Sequence, residues 1–452
     1  MSAERSVFAR VLANAGTLLG GRTVNAIIGL AYIALTARGL DPVRMGLLYL
    51  ITTFAQFLGE VVKFQSWQTV LQYGAEPLLK QDRRTFQQVV RLSLFLDLSS
   101  GLVGVTFGVI GALAFGSLLG WSKDMAPAAA LYALTIVVMT SATSVGLLRL
   151  FDRFRYLAGE QAVSSMVRLI GSAIAFWQQA PFWAYLLAWA AGPLAAFLYV
   201  GVIAWRELAQ RGLTDGFRLV GPLGKDLPGV WKFAWATNFS SSLDVAFTHV
   251  ITLSVGALLG PAQAGLWRIG RQVADGLAKP ARLVIPALYP ELAKLRALGG
   301  DAAMRKLARQ VALLGGAVAG LLLLITWLFG KPLLGLIMGQ AYVGAADVMT
   351  WQVTAAAIGI LALPLEPMLV SMRAAHLALR VRLVVSAIFL LALFPLVSSL
   401  GMNGAGAALV GAATAMAIGM FLTLRVRLAS SGQPDENEAS CAEDANDAKG
   451  DR

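Results

Sequence analysis

Long apolar stretches separated by short polar segments dominate the pattern along this chain. Twelve of the stretches are near or above the roughly 20 residues that an α-helix needs to cross hydrocarbon, so the pattern predicts twelve membrane-spanning helices. The predicted spans cover residues 12–36, 45–71, 89–119, 126–150, 161–178, 182–205, 231–256, 266–288, 311–338, 349–371, 381–400 and 405–424.

Lys and Arg residues outside the spans gather at the N-terminus, in the loops after even-numbered spans and after the last span. This is the distribution of cytoplasmic loops, so both termini are predicted to be cytoplasmic. We predict an all-α polytopic membrane protein with an N-lobe at 1–205 (spans 1–6), a cytoplasmic linker at 206–230 and a C-lobe at 231–428 (spans 7–12). The acidic segment 429–452 is predicted to be a disordered cytoplasmic tail.

The two halves share an internal repeat. A single constant shift along the chain places Leu40, Pro42, Gly46 and Leu47 on Leu259, Pro261, Gly265 and Leu266. Each half has an even number of spans, so both insert with the same orientation, related by an axis along the membrane normal. The repeat therefore predicts two pseudo-symmetric six-helix lobes around a central cavity.

The eighth predicted span carries an ionic stripe. At 100° per residue its five charged residues fall in a sector about 80° wide, and such charges are too costly to face hydrocarbon. They are Arg268, Arg271, Asp275, Lys279 and Arg282. Asp275 lies one turn from Arg271 and Lys279, so a structural ladder of ion pairs is one interpretation. Four bases against one acid favour the other, a cationic wall that attracts phosphate or uronate.

The second span carries the equivalent stripe in the repeat. Its members are Tyr49, Thr52, Gln56, Glu60 and Lys63. Glu60 and Lys63 are three residues apart, and they either satisfy each other or line the cavity. Deeper still are Arg22 and Asn25 in the first span and Asp244 in the seventh. For Arg22 we predict a pyrophosphate contact, because a guanidinium matches phosphate oxygens; an ion pair with Asp244 is the alternative.

Four further polar residues within spans leave alternatives open. Arg168 and Asp97 lie nearer the cytoplasmic ends of their spans, where snorkelling explains them as well as function does. Glu366 lies in Pro364-Leu-Glu-Pro, a predicted helix break whose free carbonyls suit a cation; a kink with a paired carboxylate is slightly favoured. His249 is predicted to be a hydrogen-bonded packing residue rather than a proton relay.

Composition narrows the function. The chain is 57% apolar and 14% charged with a mean hydropathy of +0.68, which excludes an ordinary soluble domain. One cysteine and two histidines exclude a disulfide framework and a thiolate or His-rich metal site. The net charge of +12 follows from the cytoplasmic loops, which meet anionic lipid headgroups rather than nucleic acid. No nucleotide-binding motif is present, so no cofactor is expected and energy must come from Na⁺, H⁺ or the membrane potential.

Several segments carry a family resemblance. They are Asn14-Ala-Gly-Thr-Leu-Leu-Gly-Gly-Arg-Thr, Thr36-Ala-Arg-Gly-Leu-Asp-Pro-Val-Arg-Met-Gly, Gly265-Leu-Trp-Arg, Pro286-Ala-Leu-Tyr-Pro-Glu-Leu-Ala-Lys-Leu and Gly401-Met-Asn-Gly-Ala-Gly-Ala-Ala. The chain resembles the Wzx-type polysaccharide flippases of the multidrug/oligosaccharidyl-lipid/polysaccharide exporter superfamily. The resemblance implies two lobes that alternate access while moving a polyprenyl-pyrophosphate-linked oligosaccharide, such as an O-antigen or exopolysaccharide repeat unit, across the bacterial inner membrane.

With this resemblance, the predicted substrate-binding residues are Arg22, Asn25, Lys63, Arg268, Arg271, Lys279 and Arg282. The predicted counter-ions or coupling groups are Glu60, Asp244, Asp275 and Glu366. The expected partners are the lipid-linked glycan, the bilayer and polysaccharide polymerase and export machinery, with the protein itself a monomer. The rivals are a multidrug/toxin cation extruder of the same superfamily, which would favour an acidic cavity, and a membrane glycan polymerase or ligase. The short outward connections leave little room for the external catalytic domain that the latter needs.

Overall fold

A computed structural model describes residues 25–221, 223, 227–282, 285–372 and 374–430. Side chains are described throughout these ranges except at 239–248, 277–308, 371, 375 and 428–430. Every regular element in this part of the chain is helical. The α-helices are α1 (25–39), α2 (Pro42–Val62), α3 (Ser66–Leu79), α4 (Arg83–Phe115), α5 (Ala126–Ala133), α6 (Ile136–Thr140), α7 (Thr143–Leu150), α8 (Phe154–Trp177), α9 (Phe182–Gln210), α10 (Val230–Leu259), α11 (Pro261–Arg282), α12 (Ile285–Met338), α13 (Ala345–Leu361), α14 (Leu365–Ser371) and α15 (Ala375–Ser430).

The predicted all-α class is confirmed, and the described residues contain six helices long and apolar enough to cross a membrane. They are Pro42–Leu79, Arg83–Phe115, Phe182–Gln210, Arg309–Met338, Ala345–Val370 and His376–Arg427. A seventh candidate is the pair Lys123–Ala133 and Ile136–Leu150, bent by 41°. The arrangement of twelve spans with both termini in the cytoplasm stays a prediction.

The last helical run turns back on itself. The 52 residues of His376–Arg427 would span roughly 80 Å as one straight helix, more than twice the thickness of the hydrocarbon core. Gly401 interrupts the run with φ 60° and ψ −134°. A Cβ at Gly404 would strike the carbonyl group of Leu396, which a straight helix would hold two turns away. The break thus lies between the predicted spans 381–400 and 405–424.

Three predicted segments differ from the structure. The span predicted at 45–71 is broken, since α2 ends at Val62 and α3 begins at Ser66. The segment 289–310, taken as a loop, is helical and continues into the next span as α12. Its many Ala, Leu, Lys and Arg residues explain this, because they are good helix formers. The single span predicted at 126–150 is instead divided into α5, α6 and α7. Side chains from neighbouring helices stabilise the break between α6 and α7, as described below.

The repeat found in the sequence extends to the structure. The helices α2 and α11 both begin at a proline, Pro42 and Pro261, which the repeat aligns, and the starts of α5 and α13 are separated by the same offset. Each of the latter pair follows a left-handed glycine and a short 3₁₀ helix. These glycines, Gly120 (φ 95°) and Gly339 (φ 103°), are again equivalent in the repeat. The two halves therefore share local conformations as well as a few identical residues.

The first turns of α2 and α11 also touch each other through equivalent residues. A Cβ at Gly46 would strike the Pro261 carbonyl, and a Cβ at Gly265 would lie 3.0 Å from the Gly46 Cα and 3.4 Å from the Pro42 carbonyl oxygen. The contact is reciprocal, because each glycine faces the proline of the other repeat. Such self-complementary contact is expected where two equivalent segments meet at a two-fold axis.

The chain divides into two compact units. Unit 1 comprises Met1–Ile269 and Lys331–Ala345, and unit 2 comprises Gly270–Gly330 and Ala346–Arg452. In unit 1, residues of α3, α4, α7 and α9 form an apolar core around Phe86 and Leu148. In unit 2, Leu369 of α14 packs against α15. The predicted lobes 1–205 and 231–428 stay a prediction.

Candidate functional site

Unit 2 contains a cavity of about 570 Å³ whose polar lining comes from four helices. Arg271 and Asp275 extend from α11, Gln352 from α13, Glu366 from α14 and Arg382 from α15. Three of the predicted site residues, Arg271, Asp275 and Glu366, thus line the same cavity. The rest of the wall is largely apolar, so a few polar groups project from an apolar surface.

The two charged residues of α11 pair along their own helix. The Nε atom of Arg271 lies 3.6 Å from Oδ2 of Asp275, one turn further on. Both side chains are partly exposed, which limits the energy of this pair to a few tenths of a kcal/mol. One ion pair of the ladder predicted for this face, between Arg271 and Asp275, is therefore present. It positions the guanidinium but leaves it partly exposed.

Glu366 and Arg382 complete the charged lining. Glu366 is exposed and lies in the first turn of α14, where a carboxylate interacts favourably with the helix dipole. The predicted helix break precedes it, since α13 ends at Leu361 and α14 begins at Leu365. Arg382 is not among the predicted site residues; in the sequence it lies at the start of the predicted span 381–400, two positions after Arg380. Sequence spacing gave no reason to choose between two arginines two positions apart, and only packing brings one of them to the cavity.

The stripe of α2 in unit 1 has unexpected partners. Glu60 and Lys63 do not pair with each other. Oε2 of Glu60 lies 2.6 Å from Nε2 of the largely buried His249 in α10, so this histidine packs and hydrogen-bonds as predicted. The Lys63 ammonium instead donates a 3.1 Å hydrogen bond to the Met139 carbonyl oxygen, and the Lys63 carbonyl oxygen accepts from the Asn238 side chain at 2.9 Å.

Asp97 of α4 is buried, and both of its carboxylate oxygens accept hydrogen bonds, so it does not snorkel. One carboxylate oxygen accepts from the Ala142 and Thr143 amides at 2.9 and 2.8 Å, and the other accepts from the Ser66 hydroxyl. These amides open α7, while Lys63 bonds the carbonyl end of α6. A carboxylate therefore lies at the start of one helix and an ammonium at the end of the other, each where the helix dipole favours it. This side-chain pattern stabilises the α6–α7 break.

Arg168 of α8 does not snorkel either. Its guanidinium lies 5.4 Å from the Trp189 ring centroid and 5.9 Å from that of Tyr32. Sequence reasoning missed this environment because its partners come from α1, α2, α5 and α9, far away along the chain.

The remaining predicted site residues are only partly placed. Arg22 lies outside the described residues. For Asp244, Lys279 and Arg282 the structure describes the helical backbone but not the side chains. Asn25 lies in α1 with a buried side-chain oxygen that has no hydrogen-bond partner among the described residues. Arg268 is half-buried in α11 and is an electrostatic neighbour of the Tyr49 hydroxyl. The substrate and counter-ion roles of all these residues stay predictions.

The fold and the sequence both have counterparts among known proteins. Residues 11–296 match the model of a family described as polysaccharide biosynthesis protein. The chain belongs to this family. It is 32% identical over 346 residues to the inner membrane protein YghQ of Escherichia coli K12, an alignment that covers 76% of this chain and 96% of that protein.

Solved structures show the same fold. An inward-facing multidrug resistance MATE family transporter of the MOP superfamily superposes with a TM-score of 0.73 at 13% identity, covering 90% of this chain and 95% of that one. The lipid II flippase MurJ gives 0.67 at 12% identity, covering 90% and 87%. The family match confirms the part of the predicted resemblance that concerns polysaccharide biosynthesis, and this multi-pass membrane protein has the fold of these solved transporters.

Proposed function

We propose that this protein is a flippase that moves a polyprenyl-pyrophosphate-linked oligosaccharide across the bacterial inner membrane by alternating access. Such a ligand is amphipathic, with a glycan and phosphates at one end and a long hydrocarbon chain at the other. The observation that carries the proposal is that unit 2 offers a compartment for each end, side by side.

The charged cavity suits the polar end. Guanidinium groups such as those of Arg271 and Arg382 bind phosphate oxygens with two parallel hydrogen bonds. The carboxylates of Asp275 and Glu366 accept hydrogen bonds from sugar hydroxyls, and the amide of Gln352 both accepts and donates them. Two bases and two acids give this lining no net charge. It lacks the acidic excess expected for a cation extruder.

A second groove in unit 2 suits the hydrocarbon end. It has a volume of about 780 Å³ and is lined mainly by apolar side chains, among them Leu361, Leu365 and Phe421. Among its described lining residues, Arg309 and Arg425 are the only charged ones. Apolar walls stabilise a polyprenyl chain as lipid does. The positive charges of the two arginines complement the negative charge of a lipid phosphate.

The two compartments share a wall. Ala362 and Ala417 line both the charged cavity and the apolar groove. Each of these side chains is a single methyl group, so this wall is thin. A lipid-linked glycan that occupies both compartments passes these two residues, and a transporter for small drugs has no need of such an arrangement.

The test is complementation of a strain that lacks the protein, with surface polysaccharide as the readout. Arg382→Ala should lower it at least tenfold, whereas the control Arg380→Ala, an exposed arginine on the same helix, should leave it near the wild-type level. Ala417→Trp should block export by filling the shared wall. Equal export by both arginine variants, with both proteins present in the membrane, would refute the proposal.

A second measurement separates the flippase from the extruder. Deletion of the gene should abolish glycan export and leave the accumulation of cationic dyes unchanged. The reverse result would assign the protein to drug efflux. We further propose that Na⁺, H⁺ or the membrane potential drives the cycle, with Glu60, Asp244, Asp275 and Glu366 as counter-ions or coupling groups; vesicle transport under each imposed gradient identifies the driving force.

A further inference from the structure

Arg168 of α8 in unit 1 forms no ion pair with a carboxylate within the described part of the chain. Its electrostatic neighbours there are three tyrosines, Tyr32, Tyr49 and Tyr132. The faces of Tyr32 and Trp189 stabilise the guanidinium through cation–π contacts at 5.9 and 5.4 Å. The charge is thus surrounded by aromatic rings and hydroxyls.

The aromatic residues form one cluster around this guanidinium. The Trp189 ring packs edge-on against Tyr32 and Tyr49, with ring centroids 5.5 and 5.4 Å apart. The side chains come from helices α1, α2, α5, α8 and α9, so five helices of unit 1 converge on the charge. Rings fixed by mutual packing form a rigid frame, which suits a binding site better than a flexible surface cation does.

Three polar atoms of the cluster are buried without a hydrogen-bond partner among the described residues. They are Nε of Arg168 and the hydroxyls of Tyr49 and Tyr132, and these two tyrosines are only 3% and 2% exposed. Buried polar groups are nearly always satisfied, by protein, water or ligand. All three can donate, and one of them belongs to the positively charged guanidinium. A group that accepts several hydrogen bonds and carries negative charge would satisfy all of them together.

We infer that Arg168, Tyr49 and Tyr132 form a binding site for an oxyanion. The site is additional to the unit 2 cavity and lies on different helices. Its ligand supplies phosphate or carboxylate oxygens, and two parts of the proposed substrate carry them: the pyrophosphate linkage and an acidic sugar. Only the source of the anion rests on the proposed function; the capacity to bind an oxyanion rests on the cluster.

The tyrosines allow a test that separates binding from folding. Tyr49→Phe and Tyr132→Phe keep both rings and remove only hydroxyls that bond nothing in the described chain, so the melting temperature should be unchanged or higher. Each should nevertheless weaken oxyanion binding about tenfold, the cost of one hydrogen bond to a charged group. Arg168→Gln should weaken binding further, and Arg168→Lys only partly restores it because the ammonium lacks the guanidinium fork.

Tyr342 provides the matched control. It is a buried tyrosine of unit 1 whose hydroxyl donates a 2.8 Å hydrogen bond to the Leu40 carbonyl oxygen. Tyr342→Phe should therefore lower the melting temperature and leave oxyanion binding unchanged. Loss of the Tyr49 or Tyr132 hydroxyl should thus weaken oxyanion binding without lowering the melting temperature, and loss of the Tyr342 hydroxyl should do the reverse. A purely structural role for the cluster would not produce this difference.

The experiment is isothermal titration calorimetry of the full chain in nanodiscs with inorganic pyrophosphate and, separately, glucuronate. Binding of pyrophosphate that depends on Arg168 assigns the site to the phosphate linkage, and binding of glucuronate with the same dependence assigns it to an acidic sugar. The inference is overturned if neither anion binds, or if wild type and the Tyr49→Phe, Tyr132→Phe and Arg168→Gln proteins bind alike. These results are independent of export: normal surface polysaccharide in the deletion strain would refute the flippase and leave the site intact.

Discussion

The crossing of α2 and α11 gives a sharp prediction about stability. Substitution of Gly46 by Ala places a methyl group against the Pro261 carbonyl, a backbone group fixed in the first turn of its helix. A flexible side chain would rotate away from such a contact, but backbone cannot, so the two helices must separate. Close approach of backbones at small residues is a principal source of helix association in membranes, and that approach would be lost.

The expected magnitude combines two opposing effects. Overpacking costs about 1–3 kcal/mol in well-packed interiors, and contact with backbone places Gly46→Ala at the upper end. Ala gains about 1 kcal/mol over Gly in helix propensity, so the net loss should be about 2 kcal/mol. Gly265→Ala should cost less, because its Cβ would lie 3.0 Å from the nearest atom, a distance that a shift of a few tenths of an ångström relieves.

Thermal unfolding of the purified protein in one detergent measures the effect. The control is Gly201→Ala in α9, where no atom of the described residues lies within 4 Å of the added Cβ and helix propensity alone should stabilise the protein. We expect the melting temperatures to rank Gly201→Ala at or above wild type, then Gly265→Ala, then Gly46→Ala. A Gly46→Ala protein that melts with the wild type would show that the two repeats do not meet at this glycine.

Three further predictions concern the polar contacts of unit 1. Asp97→Ala should lower the free energy of unfolding by about 3 kcal/mol, because buried amides lose a charged acceptor. The control Asp124→Ala, at an exposed position, should cost almost nothing in thermal unfolding. Similar melting of the two variants would contradict the role of Asp97 at the α6–α7 break. Lys63→Met should lower the free energy of unfolding by about 1 kcal/mol. If the lysine also contacts substrate, surface polysaccharide should fall by more than this loss of stability explains. Alanine substitutions of Glu60 and His249 should show a coupling of about 1 kcal/mol in a double-mutant cycle, and additive effects would mean that the 2.6 Å contact contributes nothing.

The sequence predicted what depends on local pattern. Hydrophobic stretches long enough to cross a bilayer indicated helices, and a handful of identities at a fixed offset identified the repeat whose glycines meet in the structure. The face shared by Arg271 and Asp275 followed from helix periodicity, and their ion pair is present. These features need only the neighbouring residues along one helix, which is why the pattern was sufficient.

The sequence did not predict what depends on contacts between distant segments. The break before α7 is set by Asp97 and Lys63, which lie outside the segment that breaks, so an apolar run at 126–150 gave no sign of it. For Arg168, near the end of an apolar stretch, the sequence left snorkelling and function equally open, because the tyrosines and the tryptophan around it lie on four other helices. The sequence alone did not distinguish Arg382 from Arg380. Only the packing of α15 shows that Arg382 lines the cavity.

Arg271 of unit 2 and Arg168 of unit 1 are stabilised in different ways, and this bears on how each would bind an anion. In unit 2, Arg271 already has Asp275 one turn away, so an incoming phosphate must compete with a carboxylate for the guanidinium. In unit 1, Arg168 lies against the Tyr32 and Trp189 rings, and an oxyanion need not displace either of them. Binding at Arg168 therefore exchanges no ion pair for another, whereas release is easier at Arg271 because the carboxylate is at hand to replace the departing phosphate. A carrier needs both properties, a site that captures the headgroup and a site that lets it go.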